Sequence, residues 1–337
     1  MNTEKILPII FPPPIKCYLP ISIVSSIVTA NIDDNSWIMN NFIQLYIAEG
    51  FEKLESFPFQ DFMYFDQNLL HVDIINNFNH KLEKNIINEI IEWIDNGNYV
   101  IVYVDEFEVP GTYSYRKTHL IHSQFIYGYN MENKSFKILN FNTNKILSEL
   151  DVSFTDMENA IFSETTKERF CSSNIWSNRD VDHKIILIRL TDNKNSFYSH
   201  RINKEYILNE IKHYYESENT SNYTNYFTGQ LHGTWGMDIY PEIIRILKLQ
   251  RNCLDYRMFH VLYEHKVYMK ERLELFDCGE KYSDRYLDLI KKSDRLRAIC
   301  LKYNIRPSKM LIERMIELVM ELYNREKSVL HDFLLYG

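Results

Sequence analysis

Pro12-Pro13-Pro14-Ile15-Lys16-Cys17-Tyr18 runs straight into the apolar stretch Leu19 to Ala30. Three consecutive prolines hold the backbone extended, because each ring locks φ. The apolar stretch reads as a helix buried nearly all round. Pro20 is tolerated in its first turn, where the missing N–H has no intrahelical partner to lose. Cys17 therefore sits where an extended segment becomes a helix. There the unpaired N–H groups and the helix dipole favour a thiolate, the form in which cysteine is a nucleophile. The competing reading is a buried, inert thiol acting as a small hydrophobe.

The net charge of -8 argues against a nucleic-acid binder that works by neutralising phosphates, and leaves room for a cationic ligand. The 24 tyrosines and 20 phenylalanines accompany many Asn, Ile and Lys, a compositional bias that weakens any single Tyr or Asn as a functional signal. Five cysteines (Cys17, Cys171, Cys253, Cys278, Cys300) are odd in number, widely spaced and without a CxxC. This predicts a reduced, cytoplasmic protein with no disulfide framework. One early lysine followed by prolines is not a secretory signal, and Ile15 to Ala30 is broken by Lys16, Pro20, Ser and Thr, so no membrane span is expected.

Helical periodicity predicts helices over Trp37 to Glu49 and His80 to Ile94. Tyr99 to Val104 is β-branched and aromatic throughout, a strand buried on both faces. His122 to Tyr129 and Ser135 to Phe141 predict two further strands joined by the turn Asn130-Met131-Glu132-Asn133. Short strands are expected at Asp61 to Phe65, Leu69 to Ile74 and Lys184 to Leu190, and a helix at Thr155 to Phe162. Beyond residue 200 helices are expected at Lys204 to Glu216, Ile239 to Gln250, Asp255 to Phe276, Ser283 to Tyr303 and Lys309 to His331, with almost no strand signal. The chain thus reads as an α+β domain over 1–200 and an α-helical domain over 201–337, with the border near 195–203.

A cysteine nucleophile needs a base that reaches its sulfur and a third group that orients the base. His119 and His122 are the candidate bases. Their odd spacing at a strand start puts them on opposite faces, which makes them a poor metal pair. His260 and His265 also point apart on a helix, and Arg257, Glu264 and Lys266 are expected in surface or interdomain ion pairs. No HExxH, GxSxG or Gly-rich phosphate loop occurs, so no metal and no cofactor are expected. Asp105, Glu106 and Glu108 follow the buried strand; they read either as a solvated loop or as a site for the far ammonium of a diamine.

The ordered set resembles the papain-like thiol fold of the C39 type: an early Cys before an apolar helix, a buried strand, a His leading a strand that ends in Gly-Tyr, then a hairpin. It more closely resembles the butirosin-biosynthesis acyltransferase group. Pro14-Ile15-Lys16-Cys17-Tyr18, Tyr103-Val104-Asp105-Glu106-Phe107, His119-Leu120-Ile121-His122 and Ile126-Tyr127-Gly128-Tyr129-Asn130 carry that likeness, with Asp255-Tyr256-Arg257-Met258-Phe259-His260 and Leu262-Tyr263-Glu264-His265-Lys266 in the helical half.

The resemblance implies a papain-like (C39-type) α+β fold with an additional α-helical C-terminal domain. It implies Cys17 as nucleophile and His122, six residues before Gly128, as base. Asn140 or Asn142, at the end of the next strand, would be the orienting group, with Asn140 preferred. The implied reaction moves an acyl group from a carrier-protein thioester through Cys17 to an amine, as in the amide-forming chemistry of closthioamide biosynthesis, where the acceptor is a short diamine. Papain-like proteases carry a Gln about six residues before the Cys. Here that position is Phe11, so the oxyanion would rest on the Cys17 N–H and another donor, with Lys16 a candidate. Two other readings use the same residues: a cysteine peptidase or thioesterase with water as acceptor, and a non-catalytic binding module.

Overall fold

The computed structural model describes residues 3–32, 35–49, 70–75, 85–166, 185–190, 201–220, 232–249 and 251–336. The chain begins with β1 (Glu4–Ile6), α1 (Leu19–Ile32), α2 (Ser36–Asn41), β2 (Tyr46–Ala48), β3 (Leu70–Ile75) and α3 (Ile86–Asp95). It continues through β4 (Tyr99–Asp105), a 3-10 turn (Glu106–Glu108), β5 (Ile121–Asn130), β6 (Ser135–Phe141), β7 (Leu147–Ser153), α4 (Phe154–Ile161) and β8 (Ile185–Leu190). The last part is α5 (Lys204–Glu216), β9 (Gly233–Trp235), a second 3-10 turn (Gly236–Asp238), α6 (Ile239–Lys248), α7 (Tyr256–Leu273), α8 (Gly279–Ile305) and α9 (Lys309–Tyr336). The protein is α+β, with an antiparallel sheet and a helical C-terminal region. No helix among the described residues is long and apolar enough to cross a membrane. The expected strand at Asp61 to Phe65, and Cys171, lie outside the described residues.

The contacts divide the chain into two units rather than at a single cut near residue 200. One unit comprises Met1–Leu19, Ser26–Asn31 and Asp66–Lys194; the other comprises Pro20–Ser25, Ile32–Phe65 and Asn195–Gly337.

In the first unit the strand order is β3-β8-β4-β5-β6-β7, every pair antiparallel, with β1 also on β5. β4 lies between β8 and β5, and its Tyr99, Val100, Ile101, Val102 and Val104 are buried, as a run of β-branched and aromatic residues requires. β5 is long enough to serve two neighbours along one edge, with β6 on the other. Its first part pairs with β4, Val104 opposite His122, and its last residues pair with β1, Ile6 opposite Gly128. β1 comes so close that a Cβ on Gly128 would stand 2.8 Å from the Lys5 carbonyl oxygen and 3.1 Å from Ile6 Cα. That close approach is the physical reason for glycine at this point of the strand.

One predicted element differs, and one strand was not predicted. The helix expected to reach Glu49 ends at Asn41, and Tyr46–Ala48 is a strand paired with β9. Arg272 explains the stop: its Nε donates to Met39 O at 2.7 Å and its Nη2 to Ile38 O at 2.6 Å, taking carbonyls of the last turn. Tyr46 then stacks on Trp235 at 4.5 Å between centroids, the cross-strand contact that holds the two-stranded ribbon. β7, which the sequence reading did not name, covers β6 from Ser135 to Phe141.

The second unit is mainly helical and contains a buried polar cluster. Lys266 is fully buried, not on the surface, and its Nζ lies 2.7 Å from Glu326 Oε1. Tyr286 OH donates to the same oxygen at 2.9 Å, and the hydroxyls of Tyr214 and Tyr240 donate to Oε2. Burial lowers the Lys266 pKa and the Glu326 charge raises it, with a net lowering. Next to it, burial and the Lys266 and Arg272 charges push His265 well below its ordinary range, so the ring is neutral and donates from Nε2 to Ile43 O at 2.7 Å. Arg257 is exposed and pairs with Asp255, while Glu264 is buried beside His260.

Candidate active site

The segment leading to Cys17 is tied down residue by residue. Leu7 N donates to Tyr127 O at 2.8 Å and Ile10 N to Ser26 O at 3.2 Å. Tyr99 OH donates to Pro8 O at 2.6 Å. Because β1 runs antiparallel to β5, the chain leaving Ile6 heads toward the end of β5 that carries His122. Ile15, Cys17 and Leu19 are buried and Lys16 is exposed. Tyr18 has φ +59, and the first helical residue is Leu19, so Cys17 lies just ahead of the helix and not within it. A non-glycine residue in the left-handed region costs about 1–3 kcal/mol and persists where its surroundings over-determine it; such strain gathers at functional sites.

His122 opens β5, and the carboxylate on its ring is that of Glu106. Nδ1 donates to Glu106 Oε1 at 2.8 Å. Glu106 is buried, whereas the imidazole is 36% exposed. Asn140 Nδ2 donates to the same carboxylate oxygen at 2.9 Å and to Gln124 Oε1 at 2.6 Å, and Gln124 Nε2 donates to Glu106 Oε1 at 3.4 Å. Burial by itself would raise the Glu106 pKa. The hydrogen bond and charge of His122, with Asn140 and Gln124, outweigh it and leave the carboxyl below its ordinary value. The group is thus an anion that fixes the imidazole tautomer, leaving Nε2 as the proton-accepting nitrogen. Nε2 takes no hydrogen bond from any described residue.

The side chain on the His122 ring is therefore Glu106 rather than Asn140. Asn140, expected on the imidazole, instead holds the carboxylate that holds the imidazole. Its Oδ1 accepts from Phe141 N. Asn142, the other candidate, organises the β6–β7 turn, accepting from Asn144 N at 2.9 Å and Ile146 N at 3.2 Å.

Each of the three carboxylates of the acidic group has its own partner. Asp105 Oδ2 accepts from His119 Nδ1 at 2.6 Å. Glu106 serves His122, and Glu108 lies 2.9 Å from Arg116 Nη1. Gln124 and the role of Glu106 were missed in the sequence. The available signal was the hairpin register: with Val104 opposite His122, the residues just after β4 stand beside the start of β5, and Glu106 N donates to Leu120 O at 2.9 Å.

A group of three or more His, Cys, Asp or Glu side chains able to hold a metal ion is absent among the described residues. No family model matches the chain, and comparison with curated proteins gives no significant match.

Proposed function

We propose that the first unit is a papain-like (C39-type) cysteine acyltransferase that forms amide bonds, with Cys17 as nucleophile, His122 as base and Glu106 as the group that orients the base. The observation that carries this reading is the 2.8 Å bond from His122 Nδ1 to a buried carboxylate. An imidazole so held has one nitrogen committed and one open, the arrangement a thiol nucleophile needs. The approach of the Cys17 segment toward the His122 end of β5, and the strained Tyr18 beside the thiol, support the same reading.

In the reaction Cys17 sulfur attacks the carbonyl of a carrier-bound thioester, and the carrier thiol leaves with a proton from His122. An amine then attacks the acyl-enzyme; the C–N bond forms, the C–S bond breaks, and His122 takes a proton from nitrogen. Thiol exchange is close to neutral and aminolysis of a thioester is downhill, so the cycle needs no nucleotide. A cationic rim suits the phosphodiester of a carrier arm. Lys117 and Lys145 place Nζ 5.3 and 4.1 Å from the Tyr113 ring centroid, and neighbouring Thr112 donates to Glu106 O at 3.3 Å.

Incubation with acyl-carrier thioesters, with and without diamine, tests this function. Amide that forms only with the wild-type thiol supports it. Free acid, formed at the same rate whether or not amine is present, points to the thioesterase or peptidase alternative.

A further inference from the structure

Gln124 is fully buried on β5, two residues on from His122 and so on the same face of the strand. Asn140, also fully buried, stands across from it on β6, one step beyond the pair Phe125 opposite Leu139. The hydrogen bonds among these groups have a set direction. Phe141 N–H can only donate, and it donates to Asn140 Oδ1 at 2.6 Å. The Asn140 amide therefore turns its NH2 the other way, to Glu106 Oε1 at 2.9 Å and to Gln124 Oε1 at 2.6 Å. Gln124 must present its oxygen to Asn140, which leaves its NH2 for Glu106, at 3.4 Å. Turned over, the Gln124 amide would set NH2 against NH2 and oxygen against carboxylate. With His122 Nδ1 at 2.8 Å, three donors converge on one carboxylate oxygen. A proton on that oxygen would face N–H groups alone, so the arrangement holds an anion and rejects an acid. The direct Gln124 bond is long; its larger effect is on Asn140, whose bond to the carboxylate is shorter.

We propose that Gln124 is a positioning residue of the acyl transfer, which acts through Asn140 to keep Glu106 an anion aimed at His122; the inference rests on the acyltransferase reading above. Among the described residues, His122 is the titratable group bonded to the Glu106 carboxylate. Asp105 is turned to His119 and Glu108 to Arg116. On α4, which packs on the 3-10 turn, Asp156 is turned to Ser153 and Glu158 is exposed. The amides lower the Glu106 pKa alongside His122. Without them the carboxyl returns toward its ordinary range, takes its proton at a higher pH and lets go of the imidazole there.

The test follows alkylation of Cys17 in the full chain by iodoacetamide, a neutral probe, from neutral pH down to about pH 4, near the ordinary carboxylate range. Peptide mapping separates Cys17 from Cys253 and Cys278. Gln124→Met removes both ends of the amide at nearly constant length. The expected result is an acid fall-off of Cys17 reactivity that begins about one pH unit higher than in wild type, the size of one hydrogen bond to a charged group. Gln124→Glu sets a second carboxyl against Glu106; two carboxyls in one site share a proton, so its fall-off should begin at least as high. It is also the second variant should the Met protein fail to fold. A side chain with a structural role alone would lower the unfolding temperature and leave the fall-off in place. The wild-type fall-off in either folded variant overturns the proposal. A wild-type Cys17 that reacts no faster than Cys253 and is indifferent to His122→Gln overturns the acyltransferase reading, and the proposal with it.

Discussion

His122 Nδ1 donates to Glu106 Oε1 at 2.8 Å, and the carboxylate is buried while the ring is partly exposed. Glu106 is therefore expected to matter more to chemistry than Asn140. Glu106→Gln keeps the shape but permits the wrong tautomer, and acylation of Cys17 should fall by about 10²–10⁴-fold. Asn140→Ala keeps the carboxylate on the ring and should slow acylation less than tenfold, at a stability cost of about 1–3 kcal/mol for the contacts left unmade. Single-turnover kinetics on both variants checks the order; a larger effect at Asn140 would restore it as the orienting group.

The same pair makes stability depend on pH. Glu106 has its folded pKa below the ordinary 4.5, and Asp105 below 3.8. A carboxyl depressed in this way contributes stability that is complete above its unfolded pKa and is lost as pH falls through the folded one. The stability difference between wild type and Glu106→Gln should hold constant from neutral pH down to about 4.5 and shrink below it. Denaturant unfolding across that range provides the measurement. A difference that stays constant well below that point would mean the carboxylate gains nothing from His122.

Gly128 makes room for β1, and a Cβ there would meet the Lys5 carbonyl oxygen at 2.8 Å. Gly128→Ala should destabilise the first unit by about 1–3 kcal/mol, the usual cost of overpacking against backbone. Because β1 leads into the Cys17 segment, the same change should also slow acylation. Thermal unfolding together with an acylation assay tests both halves.

In the second unit, Glu326 answers a fully buried lysine and three tyrosine hydroxyls. Glu326→Ala removes the charge that holds the Lys266 pKa up and leaves a fully buried amine without that partner, and should cost about 3–5 kcal/mol. Glu326→Ala combined with Lys266→Met should recover part of the loss, because no buried charge remains at that pair. Equilibrium unfolding of the single and double variants decides it, and a double variant no better than the single would contradict the account.

Lys117 and Lys145 flank the ring of Tyr113. Reversing both to Glu should raise KM for a carrier-bound donor by about tenfold, consistent with the loss of two exposed charge contacts. KM for a small thioester lacking the phosphodiester should not change.

What could be read in the sequence follows from how local the cause is. β4, β5 and β6 were legible because runs such as Tyr99 to Val104 state their burial in their own residues. The end of α2 was not, because the group that stops it, Arg272, is more than two hundred residues away in the chain. Lys266 looks like any surface lysine until Glu326, sixty residues on, is placed against it. At the candidate site, His122 was singled out through a resemblance that sets it six residues before Gly128, and the structure gives that glycine its own reason in the approach of β1. Glu106 was read either as part of a solvated loop or as part of an ammonium site, because its partner lies across a hairpin whose register decides the contact, and Asn140 took its place by analogy.

The central claim is that Cys17 is a nucleophile served by His122. The direct measurement is the intact mass of the protein after brief exposure to an acyl-carrier thioester, followed by peptide mapping. The account predicts one acyl group, on Cys17, absent from Cys17→Ala and formed far more slowly in His122→Gln. An unmodified Cys17, or acylation spread over Cys253 and Cys278 at the same rate in the His122 variant, would contradict it.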